Sequence, residues 1–552
     1  MPPFNPQRRD LLRVSSLGLA GAAIPAVSFA AQAGPPDPDT TSPTAAVFSV
    51  RQYGATGDGK TIDTDAINRA IDAVASAGGG TVVFPAGIYL SFSIRLKSNV
   101  HLYLDAGATI VAAESPKPGE TTGYNGGTYD AAEPNAPWEP YQDYGHNHWH
   151  NSLIWGEDLH DISITGTGLI YGKGLSFGAD GPHVAPRGDY PIYVAEQAGV
   201  GNKSIALKNC RNVLLRDFSV LKGGHFALLL TGVDNLTVDN LRIDTDRDGI
   251  DIDCCQNVRV SNCSVNSPWD DGICPKSSYA LGYARATRNV TIANCFVTGC
   301  YELGTMLDGT WRKFPPNKRP YGTGRIKCGT ESNGGFINIT IANCVFEGCL
   351  GYALESVDGA LLEDITITNT TMRDLASGPL FLRLGERLRG PKESTQVGTM
   401  KRILISNLEC HNASMQGSIL TGLSDHMIED LKLSNIYIET AGGGTAEQTQ
   451  IIPPELENGY PDPGRFGATP SSGFLLRHIR NLEMSHVEIA NATADARPAF
   501  YLADVDRADF FAITAPRGSN GAFALHSVRD FRVGWSRATP DVTLDAADNK
   551  TI

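Results

Sequence analysis

Positive charge is what this chain has least of: 46 Lys and Arg stand against 60 Asp and Glu, a formal charge of -14. That balance argues against nucleic acid as a partner, and an acidic ligand would need a local basic patch. After Ala30 no segment is long and apolar enough to cross a membrane as a helix. Aromatics make up only 8% of residues, beside 59 Gly, which suits a turn-rich β protein. The cysteine count of eleven is odd, so no closed disulfide framework is implied, although Cys254, Cys255, Cys300 and Cys349 remain possible pairs. A chain of 552 residues that is 41% hydrophobic can nevertheless bury a large core.

The beginning of the chain reads as an export leader over residues 1–33. Arg8 and Arg9 precede Leu11 and Leu12, an apolar run extends from Val14 to Ala30, and small residues surround Gln32. Paired arginines followed by leucines are similar to a bacterial twin-arginine signal, which implies a periplasmic or secreted protein exported after folding. Residues 34–46, rich in Pro, Asp and Thr, read as a flexible linker, and a single catalytic domain is expected over 47–552.

Five gapless cassettes organise the middle of the chain. They begin at Asn212, Asn235, Asn257, Asn289 and Asn338, the first three 23 and 22 residues apart. In each, the first and third residues after Asn are aliphatic, the period-2 pattern of strands facing a core. No helix-length segment separates these runs, so the prediction is an all-β, right-handed parallel β-helix rather than a doubly wound sheet. The fifth residue after the leading Asn forms a column of Asp217, Asn240, Asn262, Asn294 and Asn343, expected to stack at a turn. The sixth column contains Cys263, Cys295 and Cys344 among large apolar residues and is read as core. One convincing helix, Asp63–Ala77, presents Ala66, Ile67, Ala70, Ile71 and Val74 on one face and stops at Gly78; it should cap the open end of the solenoid.

Between Asp244 and Lys276 the acids concentrate. The thirteenth column holds His225, Asp248, Asp270 and Glu302, which adjacent rungs roughly 4.8 Å apart would line up on one outer face. A second register, matching Asp248-Gly-Ile to Asp271-Gly-Ile, puts Asp271 beside Asp248 instead; the repeat is compatible with either. Asp270 and Asp271 can share a cleft only at a turn or bulge, and Pro268 is compatible with one. Downstream, Arg312, Lys313, Lys318, Arg319, Arg325 and Lys327 fall within a stretch without a single acid, the composition of a site for a carboxylate-bearing ligand.

Loops are expected at 114–151, 175–199, 311–324, 385–400 and 441–473. The first is rich in Tyr, Trp, Gly and Pro and ends in His146, His148 and His150, with no acidic or Cys partner spaced to complete a metal site; it reads as a wall or lid of a ligand site. No metal or other cofactor is expected. Arg383, Glu386 and Arg387 in the later loops are within possible reach of a substrate.

Together these motifs resemble glycoside hydrolase family 28, the polygalacturonase and rhamnogalacturonan hydrolase-like pectinases. Val50-Arg-Gln-Tyr-Gly-Ala-Thr-Gly-Asp-Gly-Lys60 is similar to the family's common opening. Asp246-Arg-Asp248-Gly-Ile stands where the family has Asn-Thr-Asp-Gly-Ile, Trp269-Asp270-Asp271-Gly-Ile-Cys-Pro-Lys276 where it has Gly-Asp-Asp-Cys-Ile-Ala-Ile-Lys, and Arg325-Ile326-Lys327 matches its Arg-Ile-Lys. The resemblance covers roughly Val47 to Leu433. It implies Asp270 as general acid, Asp248 and Asp271 as the pair activating water, and Arg325 and Lys327 as holders of a substrate carboxylate, with Lys276, Glu302 and His225 in the substrate region. The family's Gly-His-Gly has no counterpart near Thr298–Thr305, so that role is empty or is filled by Glu302 or His225 from the same column. Inverting hydrolysis needs one protonated carboxyl and another, roughly 6.5–9.5 Å away, to deprotonate water. The expected substrate is an acidic plant cell-wall polysaccharide, a galacturonate polymer or a rhamnogalacturonan, attacked from the chain end if the long loops block the groove. A polysaccharide lyase and a non-catalytic polysaccharide-binding β-helix are the other classes compatible with the pattern.

Overall fold

The computed structural model describes residues 46–177, 193–314 and 322–552. The leader and all but the last residue of the linker lie outside the described residues, as do most of the 175–199 loop and both Lys318 and Arg319. Residues from Ala45 onward form one compact unit.

The cassettes stack as the period-2 pattern requires. Val213, Leu236, Val258, Val290 and Ile339 pair in register across parallel strands, and so do Leu215, Val238, Val260, Ile292 and Ile341; all ten are buried. Removing one such side chain from water stabilises the fold by about 1.5–3 kcal/mol, and the columns repeat this along the solenoid. Cys263, Cys295 and Cys344 are buried in the column predicted for them, and all eleven cysteines are free thiols; the possible pairings among Cys254, Cys255, Cys300 and Cys349 do not form.

The chain turns between strands at asparagines in the left-handed region, a conformation that Asn tolerates better than other side chains. Asn240, Asn262, Asn294 and Asn343 have φ of 55–58°, and Asp217 at their head has 74°. Asn343 Nδ2 donates to Asn294 at 3.1 Å, Asn369 to Asn343 at 3.1 Å and Asn407 to Asn369 at 3.0 Å. A second ladder, not anticipated, is built by the leading asparagines themselves: Asn235 donates to Asn212 at 3.0 Å and Asn338 to Asn289 at 2.9 Å.

The predicted helix spans Thr64–Ser76, with its five apolar residues buried. Its preceding residue, Asp63, does not cap it but accepts from the backbone N of Thr56 and Gly57 at 2.7 and 3.0 Å. At the far end the antiparallel strand Val542–Ala547 lies along Phe523–Gly534 and covers that edge. No helix among the described residues is long and apolar enough to cross a membrane.

The face that carries the site is a six-stranded parallel sheet running from Ile94–Arg95 through Ser152–Glu157, Lys203–Lys208, Phe226–Thr231 and Asp248–Asp253 to Ile273–Lys276. A bridge from Ile273 to Ile326 continues it to Lys327–Cys328 and the later rungs.

Candidate active site

The ladder decides between the two registers. Phe226 pairs with Asp248 and Ile250 with Ile273, so Asp271, not Asp270, falls beside Asp248. Asp244 and Asn266 are also partners; three residues then lead to Asp248 but four to Asp271. The extra residue is accommodated in the turn after Pro268, which brings Asp270 to the same cleft. One oxygen from each of Asp248, Asp270 and Asp271 lies within 4.8 Å of the others, closer than the separation expected for an acid and base flanking a water.

The three carboxyls meet different partners. Asp271 is buried; its Oδ1 accepts from Arg325 Nε at 2.8 Å and its Oδ2 contacts Lys327 Nζ. Against the effect of burial, those two cations hold its carboxyl down at about 2. Asp248 is buried too, but burial and the neighbouring Asp270 push its carboxyl up to about 8, despite Lys276 at 3.7 Å. Asp270 is the most open, with 26% of its side chain exposed, and Arg247 donates to it through Nε and Nη2 at 3.3 and 3.0 Å. One carboxyl pushed up by burial, one held down by two cations and one nearer the opening therefore share a cleft.

A cavity of about 360 Å³ adjoins them, lined by Trp269, Asp270, Asp271, Arg325, Lys327, Tyr460 and Asp462 among others. Tyr460 and Asp462 belong to the 441–473 loop, which is fixed from beneath. Arg383, expected within reach of substrate, is instead buried and donates to the carbonyls of Gly422, Glu455 and Leu456. Arg477 donates to those of Pro453 and Pro454. Arg387 pairs with Asp358, and Arg389 joins Glu331 at 2.6 Å and Asp143 at 3.4 Å, tying the 385–400 loop to the 114–151 loop.

Other residues singled out from the sequence are elsewhere than expected. His225 lies one position off the Asp248 column, stacked on Phe226 with centroids 4.2 Å apart and with its ring edge-on to His146. Burial and the nearby Arg247 hold its imidazole well below the ordinary range. Glu302 is in the strand Tyr301–Leu303, which pairs antiparallel with Arg312–Lys313 and is outside the parallel ladder; its side chain lies outside the described residues. Lys276 is buried among Asp248, Asp251 and Glu331 rather than facing the cavity. Lys313 is turned to Glu347, which leaves Arg325 and Lys327 as the described members of the basic stretch that reach the acids.

Histidine 150 has the acidic partners that linear spacing did not show: Glu157 at 2.9 Å and Glu133 at 3.5 Å. Their ligand atoms lie within 4.8 Å of each other, yet Lys208 already neutralises Glu157 at 2.7 Å. The aspartate trio has the spacing of a cation site as well, but Arg247, Lys276, Arg325 and Lys327 surround it and supply the countercharge. Sequence reasoning missed Arg247, Glu331, Tyr460 and Asp462. Arg247 alone left a signal, as the cation in place of the Thr of Asn-Thr-Asp.

Comparison with known proteins agrees with this architecture. A family model described as right handed beta helix region matches residues 203–385, and one described as rhamnogalacturonase A/epimerase, pectate lyase-like, matches 47–138. The chain is a right-handed parallel β-helix. It is 24% identical over 386 residues to an exo-poly-alpha-D-galacturonosidase of Dickeya chrysanthemi, covering 62% of this chain and 58% of that one. It is 26% identical over 287 residues to a probable polygalacturonase of Vitis vinifera, covering 47% and 52%. The aligned parts thus span little more than half of those relatives. In fold it is similar to the family 28 exopolygalacturonase of Yersinia enterocolitica, with a TM-score of 0.59 and 19% identity over 86% of this chain and 78% of that one.

Proposed function

We propose that this family 28-like β-helix is a glycoside hydrolase that cleaves galacturonate-containing pectic polysaccharide. The observation that carries the reading is the division of labour among Asp248, Asp270 and Asp271 in one cleft. Acid catalysis of glycoside cleavage needs a carboxyl that still holds its proton near neutrality, and Asp248 is such a group. Activation of water needs a carboxylate that stays charged, which Arg325 and Lys327 enforce at Asp271. Asp270, the most open of the three, is positioned to reach the glycosidic oxygen and to hand on to it the proton held by the adjacent Asp248. Both oxygens of Asp271 are engaged by cations, which makes it a poor nucleophile and a good holder of water. Inversion is therefore the expected outcome in spite of the short spacing.

The loops support attack from the chain end. His146, on the 114–151 loop, is buried against Phe226 with ring centroids 4.8 Å apart, and Asp143 meets Arg389 across the groove. The names of the Dickeya and Yersinia proteins point the same way. Rhamnogalacturonan is the second reading, favoured by the model matched over residues 47–138. The leader read over residues 1–33 supports export to the periplasm or beyond, where such polymers are met.

The deciding experiment is a time course on homogalacturonan beside rhamnogalacturonan, with reducing ends and ultraviolet-absorbing unsaturated products measured together. New reducing ends without unsaturation, released as one small product from the start, are expected. Unsaturated products would mean a lyase, a mixed oligomer ladder would exclude exo attack, and binding without new ends would reduce the protein to a polysaccharide-binding β-helix.

A further inference from the structure

Lys276 ends the strand Ile273–Lys276 and is 4% exposed, so its charge needs partners inside the protein. It has three: Asp248 Oδ2 at 3.7 Å, Asp251 Oδ2 at 3.6 Å and Glu331 Oε2 at 3.4 Å. Asp251 stands on the same strand as Asp248, fully buried, and neither of its carboxyl oxygens is hydrogen-bonded, so the ammonium is its compensation. Glu331 is shared in turn, meeting Arg389 Nη2 at 2.6 Å and His146 Nε2 at 3.7 Å. Cys274 on the same strand, Asp270 with Arg247 at the mouth of the cleft, Asp253 further along the Asp248 strand, and Lys327 with Asp271 on the neighbouring rungs complete the charged and titratable surroundings. With little water present, attraction spent on one carboxylate is not screened from the others, so the pull of Lys276 on Asp248 depends on what Glu331 takes.

We propose that Lys276 is a positioning residue for Asp248: its ammonium, divided between Asp248, Asp251 and Glu331, sets the pH at which Asp248 gives up its proton. A residue that merely filled buried space would leave that pH unchanged when isosteric groups replace it. A residue that divides its charge makes two substitutions act in opposite directions. Lys276→Met removes the one cation facing Asp248 from this side and leaves three carboxyls without their shared ammonium, so Asp248 holds its proton to higher pH. Glu331→Gln removes a competitor for the same ammonium, so Asp248 releases its proton earlier.

The inference rests on the hydrolase reading only for its kinetic arm. In the full chain labelled with ¹³C-carboxyl aspartate, the Asp248 resonance is assigned by its loss in Asp248→Asn, and its titration midpoint is read directly. Lys276→Met should raise the midpoint by about 1–3 pH units and Glu331→Gln lower it by about one, with Lys276→Arg returning it toward the wild type. In turnover, the alkaline limb of kcat/KM should move in the same directions. Midpoints that stay put, or that move the same way in both variants, overturn the proposal. If Lys276→Met fails to fold, Glu331→Gln decides by itself, since it keeps the ammonium in place. Absence of hydrolysis by the wild type would refute the functional reading while the carboxyl titration still tests this one.

Discussion

One outward column of the solenoid contains two kinds of surface. It runs in register from Asp251 through Cys274 to Lys327, and on through Ala353, Phe381, Ile419, Leu475 and Tyr501 to Ala524. From Asp251 to Lys327 the column holds an acid, a thiol and an ammonium group, all buried, and beyond Lys327 it is apolar. The apolar half has become a docking surface: Phe466 packs against Ala353, Phe381, Ile419, Leu475 and Tyr501 and seats the 441–473 loop. The charged half has become the cleft, over which that loop presents Tyr460 and Asp462. The same backbone therefore yields a support or a reactive surface according to side chain alone, and the loop attached to one half walls the other.

Substitutions on the two halves should separate these roles. The largest effect is expected from Lys327→Met, which leaves buried Asp271 with only Arg325. Stability should fall by about 3–5 kcal/mol in urea unfolding, and kcat by about 10²–10⁴-fold, because the fixed anion loses a partner. Phe381→Ala, on the apolar half of the column, should cost a similar or slightly smaller amount of stability, about 3–4 kcal/mol. Its pH profile should keep the wild-type midpoints, since no charge near the acids changes. A shifted profile in Phe381→Ala would mean that the two halves are not separable.

The pH dependence of stability sharpens the contrast within the cleft. Asp248 keeps its proton up to about 8 in the folded chain but releases it near the ordinary ~3.9 when unfolded, so its contribution is full below the lower value and is lost as pH rises toward 8. Asp271, held near 2, does the reverse: its contribution is present above ~3.9 and is lost as pH falls toward 2. Asp248→Asn should therefore be the more stable protein at pH 8, by about 2 kcal/mol, and gain little at pH 4; calorimetry at the two pH values checks this. The smallest effect is expected at the exposed ladder, where Asn407→Ala removes the bonds donated to Thr368 and Asn369 and the one accepted from Asn435 and should cost about 1 kcal/mol with no kinetic change.

The solenoid was legible because its signal is repeated: five Asn-led cassettes with the same two aliphatic positions leave no other period that buries both. The helical cap was equally plain, since its apolar face and its glycine stop are local features. The site was legible in its membership, with three acids and two cations named beforehand, but not in its register. Only the hydrogen-bonded ladder shows that the Asp244–Asp248 turn is one residue shorter than its successor, and that difference moves Asp271 rather than Asp270 next to Asp248. Constant spacing from the leading Asn misplaced His225 for the same reason, and Glu302 because its strand leaves the parallel ladder for an antiparallel pair. Glu331, Tyr460 and Asp462 carry no motif: they arrive from rungs and loops 60 to 200 residues away from the acids, and nothing local marks them. Arg383 misled because an arginine beside a charged loop reads as exposed, whereas it is on the strand Leu380–Leu384 with its guanidinium satisfied by three backbone carbonyls.

The account depends most on the three carboxyls acting as a set. The direct measurement is kcat/KM on the preferred pectic polymer for Asp248→Asn, Asp270→Asn and Asp271→Asn, each checked for retained fold and polymer binding. Each substitution should lower it by at least ~10³-fold while binding persists. Retention of activity within about tenfold in any of the three would contradict the account.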